Sequence, residues 1–150
     1  MTRRKVAALC LIAASVVGLS VTASATATPP APVTISNAVT FVPNAVDPFT
    51  STGGVVCAAG TVSTPFSLFT GFQSGFKAQI LVGKHFVCSD GTFEALLRVT
   101  LDFSSGETHG TWSVVSGTGA YTKLHGGGGI TGTPISSGIQ DEYEGEMHID

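Results

Sequence analysis

The stretch TFEALLRVTLDF at residues 92–103 decides the fold of this chain. Apolar side chains occupy every second position, and polar ones fall between them with Leu96 as the exception. The apolar positions are Phe93, Ala95, Leu97, Val99, Leu101 and Phe103. A period of two over twelve residues predicts a half-buried β-strand. We expect the opposite row, Glu94, Arg98 and Asp102, to face solvent, because alternation usually places polar residues outward. The alternative is that this row faces an enclosed interior, where Arg98 would hold a carboxylate.

The rest of the chain outside its N-terminus also favours β-structure. Further strand candidates, separated by glycine-containing turns, are residues 39–42, 54–63, 79–87, 111–115, 121–130 and 142–149. The phenylalanine-rich segment 64–76 is predicted to be a loop, because Pro65, Gly71 and Gly75 disfavour a stable helix. Short strands at such intervals are typical of a sandwich or a barrel, and the chain is predicted to be all-β.

The N-terminus has the pattern of an export signal. Basic residues 3–5 precede an uncharged apolar stretch at 6–21, and Ala25 and Ala27 supply the small residues of a cleavage site before Thr28. Cleavage two residues earlier is the alternative. A membrane anchor is disfavoured, because the apolar stretch is shorter than the ~20 residues of a spanning helix. We therefore predict a secreted protein with a signal peptide at 1–27, a Pro/Ala-rich linker at 28–36 and one domain at 37–150.

Charge narrows the range of partners. The chain beyond residue 27 keeps four basic residues against ten acidic ones, a formal charge of −6. Without a basic patch to neutralise phosphates, nucleic acid is not expected as a partner. Anionic membrane surfaces are disfavoured for the same reason, so no membrane contact is expected after signal cleavage.

Two cysteines, Cys57 and Cys88, remain after signal cleavage. An even number of cysteines in an exported chain predicts a disulfide, and both lie at strand-like positions. Two buried free thiols are the alternative.

No motif for a metal, a cofactor or catalysis stands out. The histidines lack zinc-ligand spacing, although His109 and His125 could meet on neighbouring strands. The glycines after residue 116 precede a strand and not a helix, which excludes a dinucleotide loop. The row Glu142, Glu144 and Glu146 is predicted to be an exposed strand edge. We predict no metal site and no cofactor, and we assign no catalytic residue.

The stretch GTWSVVSGTGAY at residues 110–121 is the most distinctive in the chain. It resembles the strand–glycine turn–strand motif of the allene oxide cyclase/dirigent superfamily, and especially its secreted bacterial members. Ser116 stands where that family commonly has glycine. The motif positions are Gly110, Trp112, Gly117, Thr118, Gly119 and Tyr121. The resemblance implies a small, eight-stranded antiparallel β-barrel with an apolar cavity. The pattern of the residues alone predicts six to eight strands.

The expected function follows from that barrel. A protein that binds an apolar small molecule in the barrel is favoured, because aromatic residues are plentiful and catalytic motifs were not found. The candidate cavity lining is Phe93, Leu97, Val99, Leu101 and Phe103. The alternatives are a cyclase or dirigent-like isomerase, which the resemblance alone implies, and an extracellular interaction module whose barrel is filled by phenylalanines. A buried carboxylate or arginine in a cavity would favour the enzyme. The sequence does not define an oligomeric state.

Overall fold

The computed structural model describes residues 28–73 and 76–150, so the predicted signal peptide at 1–27 lies outside the described residues. Within them, eight strands form a closed antiparallel barrel in which each strand pairs with its neighbours in sequence and β1 pairs with β8. The strands are β1 (Ala31–Thr40), β2 (Val46–Thr52), β3 (Ala59–Gln73), β4 (Lys77–Val87), β5 (Thr92–Asp102), β6 (Thr108–Gly117), β7 (Leu124–Ile135) and β8 (Gly138–Ile149). The all-β fold and the barrel of six to eight strands are confirmed.

Strand β5 follows the predicted alternation. It pairs along its length with β4 and along most of it with β6. Phe93, Leu97 and Val99 are buried, whereas Glu94 and Arg98 are exposed. The apolar face of β5 therefore points into the barrel, and Arg98 does not.

The predicted linker at 28–36 extends too far. Strand β1 begins at Ala31 and pairs with β8 from Met147 onward. Val33 and Ile35 are buried, while Pro32 is exposed at the start of the strand. Proline is tolerated at the start of a strand. The proline- and alanine-rich composition therefore extended the predicted linker beyond the point where β1 begins.

The prediction of a loop at 64–76 is also wrong, because β3 continues to Gln73. Its pairing with β4 shifts register between Ser63 and Phe66 and again between Phe69 and Gly71. Bulges of this kind let a strand accommodate residues that would interrupt a regular ladder. Pro65 and Gly71 lie at these two irregularities and do not end the strand.

Strand β8 is not an edge strand. It pairs with β7 on one side and β1 on the other, so closure of the barrel leaves it no free edge. Glu142, Glu144 and Glu146 are exposed on its outer face, as expected of a row of like charges.

Aromatic side chains fill half of the barrel interior. Phe86 stacks on Phe93 with ring centroids 4.6 Å apart and contacts Phe49 and Tyr143 edge-on. Trp112 packs against the far side of Tyr143. These side chains are at most 3% exposed, and they make this half of the barrel a packed core.

Candidate functional site

The barrel has two different ends. At the closed end lie the starts of β1, β3, β5 and β7 together with the disulfide. At the open end lie the connections 41–45, 103–107 and 136–137 and the β3–β4 hairpin. The two ends differ in their residues. A cavity inside the barrel opens at the open end.

The closed end is held by the disulfide and one tyrosine. Cys57 and Cys88 are bonded, with Cα atoms 5.9 Å apart, which confirms the predicted disulfide. The Tyr121 hydroxyl donates a hydrogen bond to Asp90 Oδ1 at 2.8 Å and accepts one from the Cys57 amide at 3.1 Å. Burial and the nearby Asp90 carboxylate raise the Tyr121 pKa, which keeps the hydroxyl protonated. Tyr121 therefore connects the β2–β3 and β4–β5 connections.

The turn motif belongs to this closed end. Gly119 has φ +59, and a Cβ there would collide with the Asp90 carbonyl oxygen. A Cβ on Gly110 would collide with the Arg98 carbonyl oxygen of β5. Thr118 hydrogen-bonds the Thr92 hydroxyl at 2.8 Å.

None of the six motif positions lines the cavity at the open end. Trp112 is in the packed core, and Gly117 ends β6. The turn residues at 117–121 therefore fasten the closed end, Gly110 lets β6 approach β5 closely, and none of the six forms the cavity wall.

A cavity of about 630 Å³ occupies the other half of the barrel. Its wall is mainly aliphatic and comes from all eight strands and the loops at the open end. Among the residues that form it are Val39, Ile80, Val82, Ile130, Ile135 and Ile139. Ligand sites have this size and this largely apolar lining.

Four of the five candidate lining residues border the cavity, namely Leu97, Val99, Leu101 and Phe103. Phe93 does not, because it stacks on Phe86 and contacts Tyr121 edge-on in the packed core. Leu101 is half-buried and Phe103 is exposed, since both lie near the mouth. Full burial along this face holds only for the deeper part of β5.

A buried ion pair lies at the base of the cavity. Lys84 Nζ is 3.4 Å from Asp141 Oδ2, and the two side chains are 3% and 7% exposed. Lys84 also donates a hydrogen bond to Thr64 Oγ1 at 3.1 Å. All three residues line the cavity.

Asp47 adds a second carboxylate to this base. It accepts hydrogen bonds from the Thr40 amide at 3.1 Å and the Thr40 hydroxyl at 2.9 Å. Both Asp47 and Thr40 line the cavity. The base thus combines one ammonium group with two carboxylates.

Burial shifts both members of the ion pair towards their neutral forms. Desolvation lowers the Lys84 pKa, and the attraction of Asp141 opposes it only in part. Desolvation likewise raises the Asp141 pKa, against the attraction of Lys84. The two pKa values are therefore closer together than those of an exposed lysine and aspartate.

Two polar groups beside the pair lack partners. Within residues 28–73 and 76–150, Asn37 Nδ2, Asn37 Oδ1 and the Tyr143 hydroxyl are buried without a hydrogen bond. Asn37 is the cross-strand partner of Asp141. The Tyr143 hydroxyl lies near the Asp141 carboxylate, which with burial raises the Tyr143 pKa, but the two do not reach normal hydrogen-bond geometry. Unsatisfied buried groups are costly, so this layer of the barrel has unused hydrogen-bonding capacity.

The apolar wall continues outward onto β3. Phe72 stacks on Phe69 and on Phe103, with centroids 6.3 and 6.4 Å apart. These rings are 48–81% exposed. Because Phe103 also lines the cavity, the phenylalanine stack (Phe69, Phe72 and Phe103) extends the apolar surface beyond the mouth.

His109 and His125 lie on neighbouring strands, as the sequence allows, but at opposite ends of the barrel. His109 pairs with Thr131 near the open end, whereas His125 follows the first residue of β7 at the closed end and stacks on His148. In the part of the chain that the structure describes, no cluster of three His, Cys, Asp or Glu side chains could hold a metal ion. In that same part, no helix is both long and apolar enough to cross a bilayer.

Sequence reasoning missed the ion pair, although its signal was present. Lys84 lies an even number of residues from Ile80, Val82 and Phe86 on β4, so it is on the same face of the strand. Asp141 likewise lies two residues from Tyr143 on β8. A charged residue within an inward-facing row marks a buried charge.

The comparisons with known proteins identify no relative. No family model, no curated protein and no solved structure matches this chain.

Proposed function

We propose that this protein binds an apolar small molecule in the open half of the barrel. The observation that carries the proposal is the cavity of about 630 Å³, with an aliphatic wall and a small polar base. Such a combination buries an apolar body and orients it by a few polar contacts. Burial of apolar surface contributes roughly 25 cal/mol per Å², which supplies the affinity.

A neutral fluorescent probe tests this proposal. N-phenyl-1-naphthylamine should brighten on entering the cavity of the wild-type protein. Leu101→Trp, which places a large ring at the cavity mouth, should weaken the binding of this dye at least about tenfold, the equivalent of roughly 1.4 kcal/mol. Arg98→Trp adds the same ring on the outer face of β5 and is the matched control. Equal binding by both variants would place the dye elsewhere and contradict the proposal.

We also propose that the chain is exported. Its support is the signal-like sequence at 1–27 together with the disulfide, which forms and persists in oxidising compartments. N-terminal sequencing of protein collected from the medium should begin at Thr28. Protein that stays with the cells and begins at Met1 would contradict export.

A second candidate function is an isomerase or cyclase acting in the same cavity, as the resemblance to the allene oxide cyclase/dirigent superfamily implies. The observation that favours it is the buried Asp141 carboxylate on the cavity wall, with a raised pKa. In such a reaction Asp141 would take a proton from one atom of the bound molecule and return it to another. Asp141→Asn should then retain ligand and lose its conversion, as followed by mass spectrometry and chromatography of the extracted ligand. If the wild-type protein leaves the ligand chemically unchanged, the isomerase proposal is contradicted and binding remains the proposed function.

The third alternative, an interaction module with a filled barrel, has less support. Phenylalanines do fill the half of the barrel near the disulfide, but they stop at the layer of Lys84 and Asp141. The space beyond that layer favours binding.

A further inference from the structure

We propose that the molecule bound in the cavity carries a neutral polar group that both donates and accepts hydrogen bonds, such as a hydroxyl or primary amide, held at Lys84 and Asp141. This inference rests on the proposed binding function and adds the chemical class of the ligand.

The hydrogen-bonding capacity of Lys84 is the first argument. An ammonium group has three N–H donors. One donates to Thr64 Oγ1, and the ion pair with Asp141 engages the ammonium at 3.4 Å. Among the described residues no further acceptor lies within hydrogen-bond distance of Nζ, so a donor remains for an oxygen of the ligand. Lys84 lines the cavity and is nearly inaccessible to bulk water, so such a contact would be well shielded.

The charge of the base is the second argument. Lys84 faces two carboxylates, Asp141 and Asp47, and the Asp47 carboxylate already accepts two hydrogen bonds from Thr40. An anionic ligand would add a third negative charge to a single ammonium group, and like charges in one site repel. A cationic ligand would be attracted by the second carboxylate, but it would lie against the Lys84 ammonium and would lose its hydration on entering a mainly apolar cavity. A neutral group avoids both costs and is also the cheapest to remove from water.

The unpartnered atoms behind the ion pair are the third argument. Asn37, 2% exposed, presents both a donor and an acceptor without partners in the described chain, and the Tyr143 hydroxyl presents one of each. Asn37 is directly opposite Asp141 in the β1–β8 ladder. Neither Asn37 nor Tyr143 borders the cavity, so their atoms would not contact the ligand directly; they place further donors and acceptors in the polar layer against which its polar group would lie.

The test is a matched series of ten-carbon ligands. Decan-1-ol, decanamide, decanoate, decylammonium and decane are compared as competitors of the neutral dye at neutral pH, each below its solubility limit or critical micelle concentration. We expect the alcohol and the amide to bind at least about tenfold more tightly than the carboxylate and the ammonium, a difference of roughly 1.4 kcal/mol. Tightest binding by decanoate or decylammonium would overturn the inference while leaving cavity binding intact. If the dye does not bind, and none of the five ligands binds, the proposed function itself is overturned.

Two paired variants locate the polar contact. Lys84→Met/Asp141→Leu should remove the advantage of decan-1-ol over decane. Lys77→Met/Asp102→Leu removes the surface pair of the same type, 3.5 Å apart, and should retain that advantage. If both double variants kept the alcohol preference, Lys84 and Asp141 would not be the recognition site. If the first variant fails to fold, the ranking measured on the wild-type protein still decides the ligand class.

Discussion

Lys84 Nζ lies 3.4 Å from Asp141 Oδ2, although β4 and β8 are not neighbours in the barrel. The ion pair therefore crosses the interior. Directly below it, Phe86 and Tyr143 from the same two strands meet edge-on at 5.9 Å. The pair thus lies between the packed aromatic half of the barrel and the cavity.

Removing the positive partner should destabilise the protein in a pH-dependent way. Lys84→Met leaves Asp141 buried and unpaired, which should cost about 3–5 kcal/mol at neutral pH. Burial already raises the Asp141 pKa above its ordinary 3.8, and loss of Lys84 raises it further. Between the unfolded and folded pKa values the folded state holds more protons, so the free energy of unfolding falls as pH rises through that window.

The difference between wild type and Lys84→Met should accordingly shrink as pH falls towards 3.8, where Asp141 is protonated. Urea unfolding at a series of pH values measures it. The double variant Lys84→Met/Asp141→Leu should recover most of the lost stability, because replacing a whole buried pair by apolar residues is often neutral or stabilising. A deficit that is independent of pH would contradict this interpretation of the pair.

The disulfide should contribute strongly to stability. Cys57→Ser should lower the free energy of unfolding by about 2–5 kcal/mol, as is typical of native disulfides in small secreted domains. Reducing agent should lower the melting temperature of the wild-type protein and leave that of the variant unchanged. An equal response of both proteins to reductant would show that the bond is not responsible.

The orientation of β5 predicts very different costs at adjacent positions. Leu97 is 2% exposed and contacts the core, so Leu97→Ala should cost about 2–5 kcal/mol. Arg98→Ala should change stability by no more than about 0.5 kcal/mol, because Arg98 is on the surface. Leu101→Ala should fall between them, since Leu101 borders empty space. Chemical denaturation of the three variants checks the order of these costs. A reversed order would show that the face with Arg98, and not the face with Leu97, points into the barrel.

The tyrosine at the closed end should matter through its hydroxyl. Tyr121→Phe removes the bonds to the exposed Asp90 carboxylate and the half-buried Cys57 amide and should cost about 1–3 kcal/mol, because a hydrogen bond contributes about 1 kcal/mol and one to a charged group about 1.5–3 kcal/mol. Tyr143→Phe is the matched control, because its hydroxyl has no partner among the described residues. Thermal unfolding should show the larger loss for Tyr121→Phe. A larger loss for Tyr143→Phe would mean that its hydroxyl has a partner in solution.

Some of this architecture was readable from the sequence, and the reasons differ by element. The period-two pattern at 92–103 predicts β5 because one face of the strand contacts the barrel interior and the other contacts water. The even number of cysteines that remain after the predicted signal cleavage predicts the disulfide. The loop predicted at 64–76 failed because proline and glycine were given their usual meaning as breakers, whereas in β3 they coincide with bulges.

The candidate site was harder to predict than the fold. Lys84 and Asp141 are 57 positions apart in the sequence and on strands that do not pair. Parity along each strand shows that both point inward, but only closure of the barrel brings them together. The cavity likewise depends on where the aromatic packing stops, which a pattern along one strand does not encode.

The most direct test of the account is a crystal structure of the protein with decan-1-ol. We expect the alkyl chain in the cavity between Val99 and Ile139, with the hydroxyl oxygen about 3 Å from Lys84 Nζ or an Asp141 carboxylate oxygen. The barrel should otherwise be unchanged, because ligand sites are usually preformed. An alcohol bound on the outer surface, or one whose hydroxyl points to the mouth and away from Lys84 and Asp141, would contradict it.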